Sequence, residues 1–195
     1  MKFPTKTFGL AATALLAFSY PAIGADGWVT DFAAAKKTAE AEKKDLLMDF
    51  TGSDWCGWCI KLKEEVFSKE AFKKEAPNHF VLVELDYPRQ TEQDPATKAQ
   101  NEKLRTEYAI QGYPTIYLAD SKGTPYARTG YQPGGSAAYL PHLSELRQVR
   151  EKRDAAMTEA AKAEGLEKAK LLAKALETME PEIVEVFYKP TVTEI

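Results

Sequence analysis

Asp49-Phe50-Thr51-Gly52-Ser53-Asp54-Trp55-Cys56-Gly57-Trp58-Cys59-Ile60-Lys61-Leu62-Lys63-Glu64-Glu65-Val66-Phe67 is the stretch whose reading decides the fold. It holds both cysteines of the 195-residue chain, with two residues between them. Its character changes at that point. Upstream, Leu46, Leu47, Met48 and Phe50 read as a short buried strand over about 46–51. Downstream the pattern is helical over about 57–66: Cys59, Leu62 and Val66 share one face, as do Ile60 and Phe67. The cysteine pair therefore falls where a strand ends and a helix begins.

That position has chemical consequences. The first turn of a helix carries backbone N–H groups without intrahelical partners and the positive end of the macrodipole. Both favour a thiolate over a thiol. A thiol of pKa ~8.5 is only about 3% ionised at pH 7, whereas one lowered to ~7 is about half ionised. The difference is roughly 2 kcal/mol, within reach of a helix terminus with its local hydrogen bonds. Cys56, at the mouth of the helix, is the expected attacking thiol. Cys59, one turn in, is the expected resolving one. Trp58 and Gly57 between them, with Trp55 before them, form an apolar rim against which a peptide substrate can lie.

Trp55-Cys56-Gly57-Trp58-Cys59 after a hydrophobic strand resembles the thioredoxin superfamily, and within it the exported branch that carries W-C-G-W-C followed by V-F. The likeness runs from about Trp28 to about Leu146. It implies an α/β thioredoxin fold, a central mixed sheet flanked by helices. It implies a packing role for Trp55 near the nucleophile. It also implies a cis Pro114 facing the cysteines, with the backbone of its neighbours Tyr113 and Thr115 pairing with substrate. Asp49 matches the strand position where thioredoxins carry a buried aspartate that assists deprotonation of the resolving cysteine. Here Thr51-Gly52-Ser53-Asp54 is one residue longer than the family pattern, and the alternative is a carboxylate on the solvent side of the strand. Two further departures stand out. Glu64 replaces the helix-kinking proline of many thioredoxins, so no kink is expected there. The dipeptide between the cysteines is Gly-Trp, which leaves the potential open across the family range of roughly −270 to −120 mV. Because the motif lies nearer the thioredoxin type, the resemblance implies an exported thiol–disulfide oxidoreductase acting as a reductase or isomerase.

Other uses of the cysteines fit less well. Zinc needs two more ligands, and only His79 and His142 could add nitrogens, far apart and without metal-type spacing. The sequence therefore calls for no metal and no cofactor beyond a redox-active Cys56–Cys59 disulfide. The remaining alternative is a client-binding module in which that disulfide is merely structural.

Residues 1–25 read as a secretory signal. Lys2 and Lys6 make the basic start, residues 8–18 the apolar run, and Ala22-Ile23-Gly24-Ala25 the cleavage region, cut after Gly24 or Ala25. The apolar run is shorter than the ~20 residues of a membrane span, and no later segment of the mature chain is expected to span a bilayer. The expected location is periplasmic or secreted, where disulfides persist. The whole chain has a net charge of −3; residues 26–195 keep 24 basic against 29 acidic side chains, a balance that argues against nucleic acid as partner. The expected partners are disulfide-containing exported proteins or peptides, and an electron-exchange protein.

In chain order, a first helix capped by Thr30 or Asp31 buries Phe32, Ala35 and Ala39. Ser68 reads as the cap of a short helix stopped by Pro77, and residues 80–85 as a buried strand. Residues 87–97 read as a long loop, 99–108 as a helix, 115–118 and 125–129 as a hairpin turned at Lys122-Gly123. A helix over about 136–149 closes the thioredoxin-like domain, 26–149. Alternating elements imply parallel strands, with the hairpin adding an antiparallel pair. Residues 150–195 read as a helical extension, with Leu172, Leu176 and Met179 on one stripe and Ile183, Val184, Val186 and Phe187 as a last apolar cluster. Such a tail either packs on the domain or serves as a dimerisation or client-contact arm; alanine-rich helices are marginal alone and need a surface.

Overall fold

All seven residues of β1 (Asp45–Thr51) are buried, and the rest of the chain is laid around this strand. The computed structural model describes residues 27–195; the signal-sequence reading of residues 1–25 lies outside them. β1 sits between β2 (Phe80–Asp86) and β3 (Thr115–Ala119), with β4 (Pro125–Thr129) beyond, in the order β2-β1-β3-β4. A strand covered on both faces reads as a continuous apolar run, which is how residues 46–50 read apart from Asp49.

β1 and β2 are parallel, with Asp49 opposite Glu84. β3, however, runs antiparallel to β1, with Phe50 opposite Thr115. The expectation of parallel strands throughout the alternating region is thus corrected. The 87–94 loop and the turn after α4 (Pro95–Glu107) are long enough to bring the chain back in from the other end. Consequently the end of β1 and the start of β3 lie side by side, and Pro114 falls beside the turn into the cysteines.

α1 (Phe32–Glu42) starts where Asp31 accepts the Ala34 N–H at 3.0 Å and buries Phe32, Ala35 and Ala39. α2 (Gly57–Leu62) does not continue regularly to residue 66. It widens into a π turn over Lys63–Phe67, in which the Ser68 N–H reaches the Lys63 carbonyl at 2.8 Å. Val66 and Phe67 are adjacent and apolar, and the wider turn buries both. Ile60 stays 37% exposed while Phe67 is buried, and both border the small cavity beside Cys59. Ser68 is not a cap: its hydroxyl donates back to the Glu64 carbonyl, and α3 (Glu70–Glu75) begins after Lys69. α4 begins at Pro95, capped by Asp94 on the Thr97 N–H at 2.9 Å, four residues ahead of the expected start. The β3–β4 turn is held by the Asp120 carboxylate, which accepts the Lys122 and Thr124 N–H groups, with Gly123 at φ 91°.

α5 (Gly135–Ala160) runs for 26 residues, well past the expected end at 149. α6 (Gly165–Leu176), α7 (Pro181–Phe187) and α8 (Lys189–Thr193) follow, Pro181 opening α7. This C-terminal region packs on the sheet domain. Leu176, Met179, Ile183 and Tyr188 join the core, and the Phe187 ring lies 5.2 Å from Tyr108 and 6.2 Å from Tyr117. Buried Arg153 donates to the Tyr188 hydroxyl at 2.7 Å, which donates to the Pro125 carbonyl at 2.9 Å. At the start of β1, fully buried Asp45 accepts from Tyr126 and pairs with Arg147 and Arg150 of α5. Among the described residues no helix is long and apolar enough to cross a membrane.

Candidate active site

After Thr51 the chain turns through residues 52–55 and enters α2. The Trp55 indole folds back over Gly52 so closely that a Cβ there would lie 2.5 Å from the ring. Glycine is therefore required by contact. Trp55 Nε1 donates to the Tyr87 carbonyl at 2.8 Å, and its ring meets that of Tyr113 edge-on at 5.6 Å. Tyr113 also contacts the Tyr87 ring at 5.3 Å. The Tyr113–Pro114 peptide is cis. Thr115, first in β3, donates its hydroxyl to the Gly112 carbonyl at 2.8 Å.

Cys56 is the N-cap of α2, with an extended backbone, and its Sγ accepts the Cys59 N–H at 3.2 Å. Sulfur here takes the place of the oxygen that normally satisfies an orphan amide at a helix start. Cys56 and Cys59 are joined as a disulfide. They are 6% and 4% exposed, whereas Trp58 is 58% exposed. The bridge is thus a mostly covered group at the foot of an open aromatic surface. Tyr131 extends that surface, 5.1 Å from Trp58, and the Lys61 ammonium lies about 5 Å over both rings. Gly57 is exposed, and a Cβ there would meet nothing, so it leaves the backbone open rather than relieving a clash.

Asp49 is 6% exposed, which rules out the solvent-side alternative, and its Oδ1 has no hydrogen-bond partner among the described residues. Burial above all, then the charges of Glu84 and Asp86, pushes its carboxyl well above the usual range, with Lys63 pulling it back. Asp49, Cys59, Lys63 and Glu84 share the wall of a cavity of about 20 Å³, room for about one water molecule. Lys63 and Glu84 form an ion pair there at 3.8 Å.

Sequence reasoning missed several residues around this centre. Asp54 accepts the backbone N–H groups of Arg89, Gln90 and Thr91 at 2.8–3.0 Å, so the long loop is clasped to the residue before Trp55. Those amides, Arg89 first, hold the Asp54 carboxyl below its usual value. Asp86 likewise takes the N–H and hydroxyl of Ser53. Glu84 carried a signal, a charge in an apolar strand like Asp49. Asp54 carried none, because its partners lie 35 to 37 residues away. Neither histidine joins the site: His79 meets Arg147 at 3.1 Å and His142 meets Thr129 at 2.9 Å. Among the described residues no three His, Cys, Asp or Glu side chains group to hold a metal ion.

Comparison with known proteins places this geometry. A family described as a thioredoxin-like domain matches residues 32–143. The chain is 34% identical over 119 residues to the disulfide bond reductase DsbH of Chlamydia pneumoniae, covering 61% of this chain and 72% of that one. It is 29% identical over 133 residues to the thioredoxin-related protein DsbJ of the same organism, covering 64% of this chain and 38% of that one. A solved DsbH oxidoreductase structure superposes with a TM-score of 0.59 at 30% identity, covering 72% of this chain and 94% of that one.

Proposed function

This chain belongs to the thioredoxin-like family and is a thiol–disulfide oxidoreductase, and on that premise we propose that it acts as a reductase of disulfides in exported proteins. The observation that carries this reading is the Cys59 N–H aimed at Cys56 Sγ at the mouth of α2. In the reduced protein the same amide stabilises a Cys56 thiolate, aided by the helix dipole. That thiolate attacks one sulfur of the substrate disulfide, whose bond breaks, and the departing sulfur leaves as a thiolate that takes up a proton. Cys59 then loses its proton and attacks Cys56 Sγ. The mixed disulfide breaks, the second substrate thiol departs, and the Cys56–Cys59 bridge remains. Two electrons have passed to the substrate, and a second dithiol protein must return them.

Asp49 is the proton acceptor for Cys59 in this scheme, directly or through a water in the shared cavity. Trp55, Gly57 and Trp58 on one side, and the backbone of Tyr113, cis Pro114 and Thr115 on the other, hold the substrate segment over the bridge. The reductase direction is supported by the relative DsbH, a disulfide bond reductase. Export is supported by the signal-like composition of residues 1–25. The test is insulin reduction followed by turbidity, with dithiothreitol as electron source. Wild type should accelerate it, Cys56→Ser should not, and Cys59→Ser should accumulate a mixed disulfide visible by mass spectrometry. Equal acceleration by wild type and Cys56→Ser would end this reading.

A further inference from the structure

We propose that the groove beside the cysteine pair holds a carboxylate-bearing stretch of the substrate chain, and that Arg89 recognises that carboxylate. The inference rests on the reductase reading and adds the class of substrate. The groove has a volume of about 800 Å³, within the range of binding clefts that take drug-sized ligands. Trp55, Tyr87 and Tyr113 line it, with the 87–93 loop on one side and α4 on the other. Two of those aromatics immediately precede Cys56 and Pro114, so a chain whose sulfur is joined to Cys56 has the groove within a residue or two of its path.

Arg89 is built to read an anion there. Its guanidinium carbon lies 3.5 Å from the Trp55 ring centroid, at stacking distance. Its backbone N–H is fixed by the Asp54 carboxylate at 3.0 Å. Stacking covers one face of the guanidinium and leaves its N–H edge available, the edge that meets a carboxylate in a two-pronged contact. Among the described residues neither Arg89 nor Lys98 has an ion-pair partner, whereas Arg105 is already paired with Glu102 at 2.7 Å. Three cations face two carboxylates, Glu92 and Glu102, in the lining, so the groove is locally positive on a chain of net charge −3. A carboxylate on the substrate finds an unpaired guanidinium here.

The test uses two synthetic peptides with the same intramolecular disulfide, flanked in one by glutamates and in the other by glutamines. Their rates of reduction by the reduced full-length protein are compared at low salt. The glutamate peptide should react about two- to fivefold faster, as one partly exposed ion pair provides. The ratio should fall toward one in Arg89→Gln and at high salt. Independently of turnover, the Arg89 side-chain N–H resonance of the oxidised protein should shift with the glutamate peptide and not with the glutamine one. A ratio of one in wild type, a ratio that survives Arg89→Gln, or an unmoved Arg89 resonance overturns the proposal. Failure to reduce either peptide overturns the redox reading instead, and the resonance then still decides the groove.

Discussion

Asp49 and Cys56 are tuned in opposite directions by their surroundings. Cys56 meets an orphan amide and the positive end of a helix, which favour its anion. Asp49 is buried with an unpartnered oxygen beside Glu84, which disfavours its anion. Because the folded-state pKa of Asp49 is raised, the folded protein binds that proton more tightly than the unfolded chain. Its contribution to stability is therefore complete below the ordinary value of 3.8 and is lost as pH rises through the raised folded value. Asp49→Asn should remove this slope and be more stable than wild type by about 1–3 kcal/mol at pH 8, with the gap closing near pH 4, as read from urea melts. The same variant should slow resolution of the mixed disulfide at pH 7 by about a hundredfold, a modest general-base contribution. That deficit should shrink at alkaline pH, where hydroxide from solvent can take the Cys59 proton in place of Asp49. Parallel stability profiles for the two proteins would exclude the role. The placement of Cys56, Cys59 and Asp49 around one turn was legible because each breaks or ends a local hydrophobic pattern. Asp54 was not, since only the fold brings it to the amides of residues 89–91.

The loop between β2 and α4 is the element that shapes the site. Its 87–94 stretch is long for a connection, yet Asp54 holds three consecutive amides of it and Gln93 reaches the Asp86 carbonyl at 3.1 Å. Asp54→Ala should release the clasp. Hydrogen exchange at Arg89, Gln90 and Thr91 should accelerate while that of β2 stays slow, and the Trp55–Arg89 stack should loosen with it. Unchanged exchange at the three amides would show that other contacts order the loop. Elements were legible wherever one period held throughout. The π turn was hidden because Val66 and Phe67 fit either neighbouring stripe, and the early start of α4 because Asp94-Pro95, a good cap and first position, lies within an otherwise polar stretch.

At the scale of the molecule, the C-terminal helices complete the core of the sheet domain. Ile183 is fully buried, and Tyr188 closes a chain of hydrogen bonds from Arg153 to β4. Ile183→Ala should cost about 2–5 kcal/mol and lower the urea midpoint of one shared transition, seen alike by tryptophan fluorescence and by helical circular dichroism. A variant with an unshifted midpoint would mean that the tail contributes nothing to the fold. The sequence showed that these helices need a surface but not which one, because Tyr108, Tyr117 and Pro125 meet them only in three dimensions. What the assembled molecule is for rests on the electron balance of its cysteine pair, and the equilibrium potential against glutathione measures that most directly. A reductase of this family should lie between about −270 and −200 mV. A value near about −120 mV would make the protein an oxidant, and one below about −300 mV would make the bridge structural; either contradicts the account.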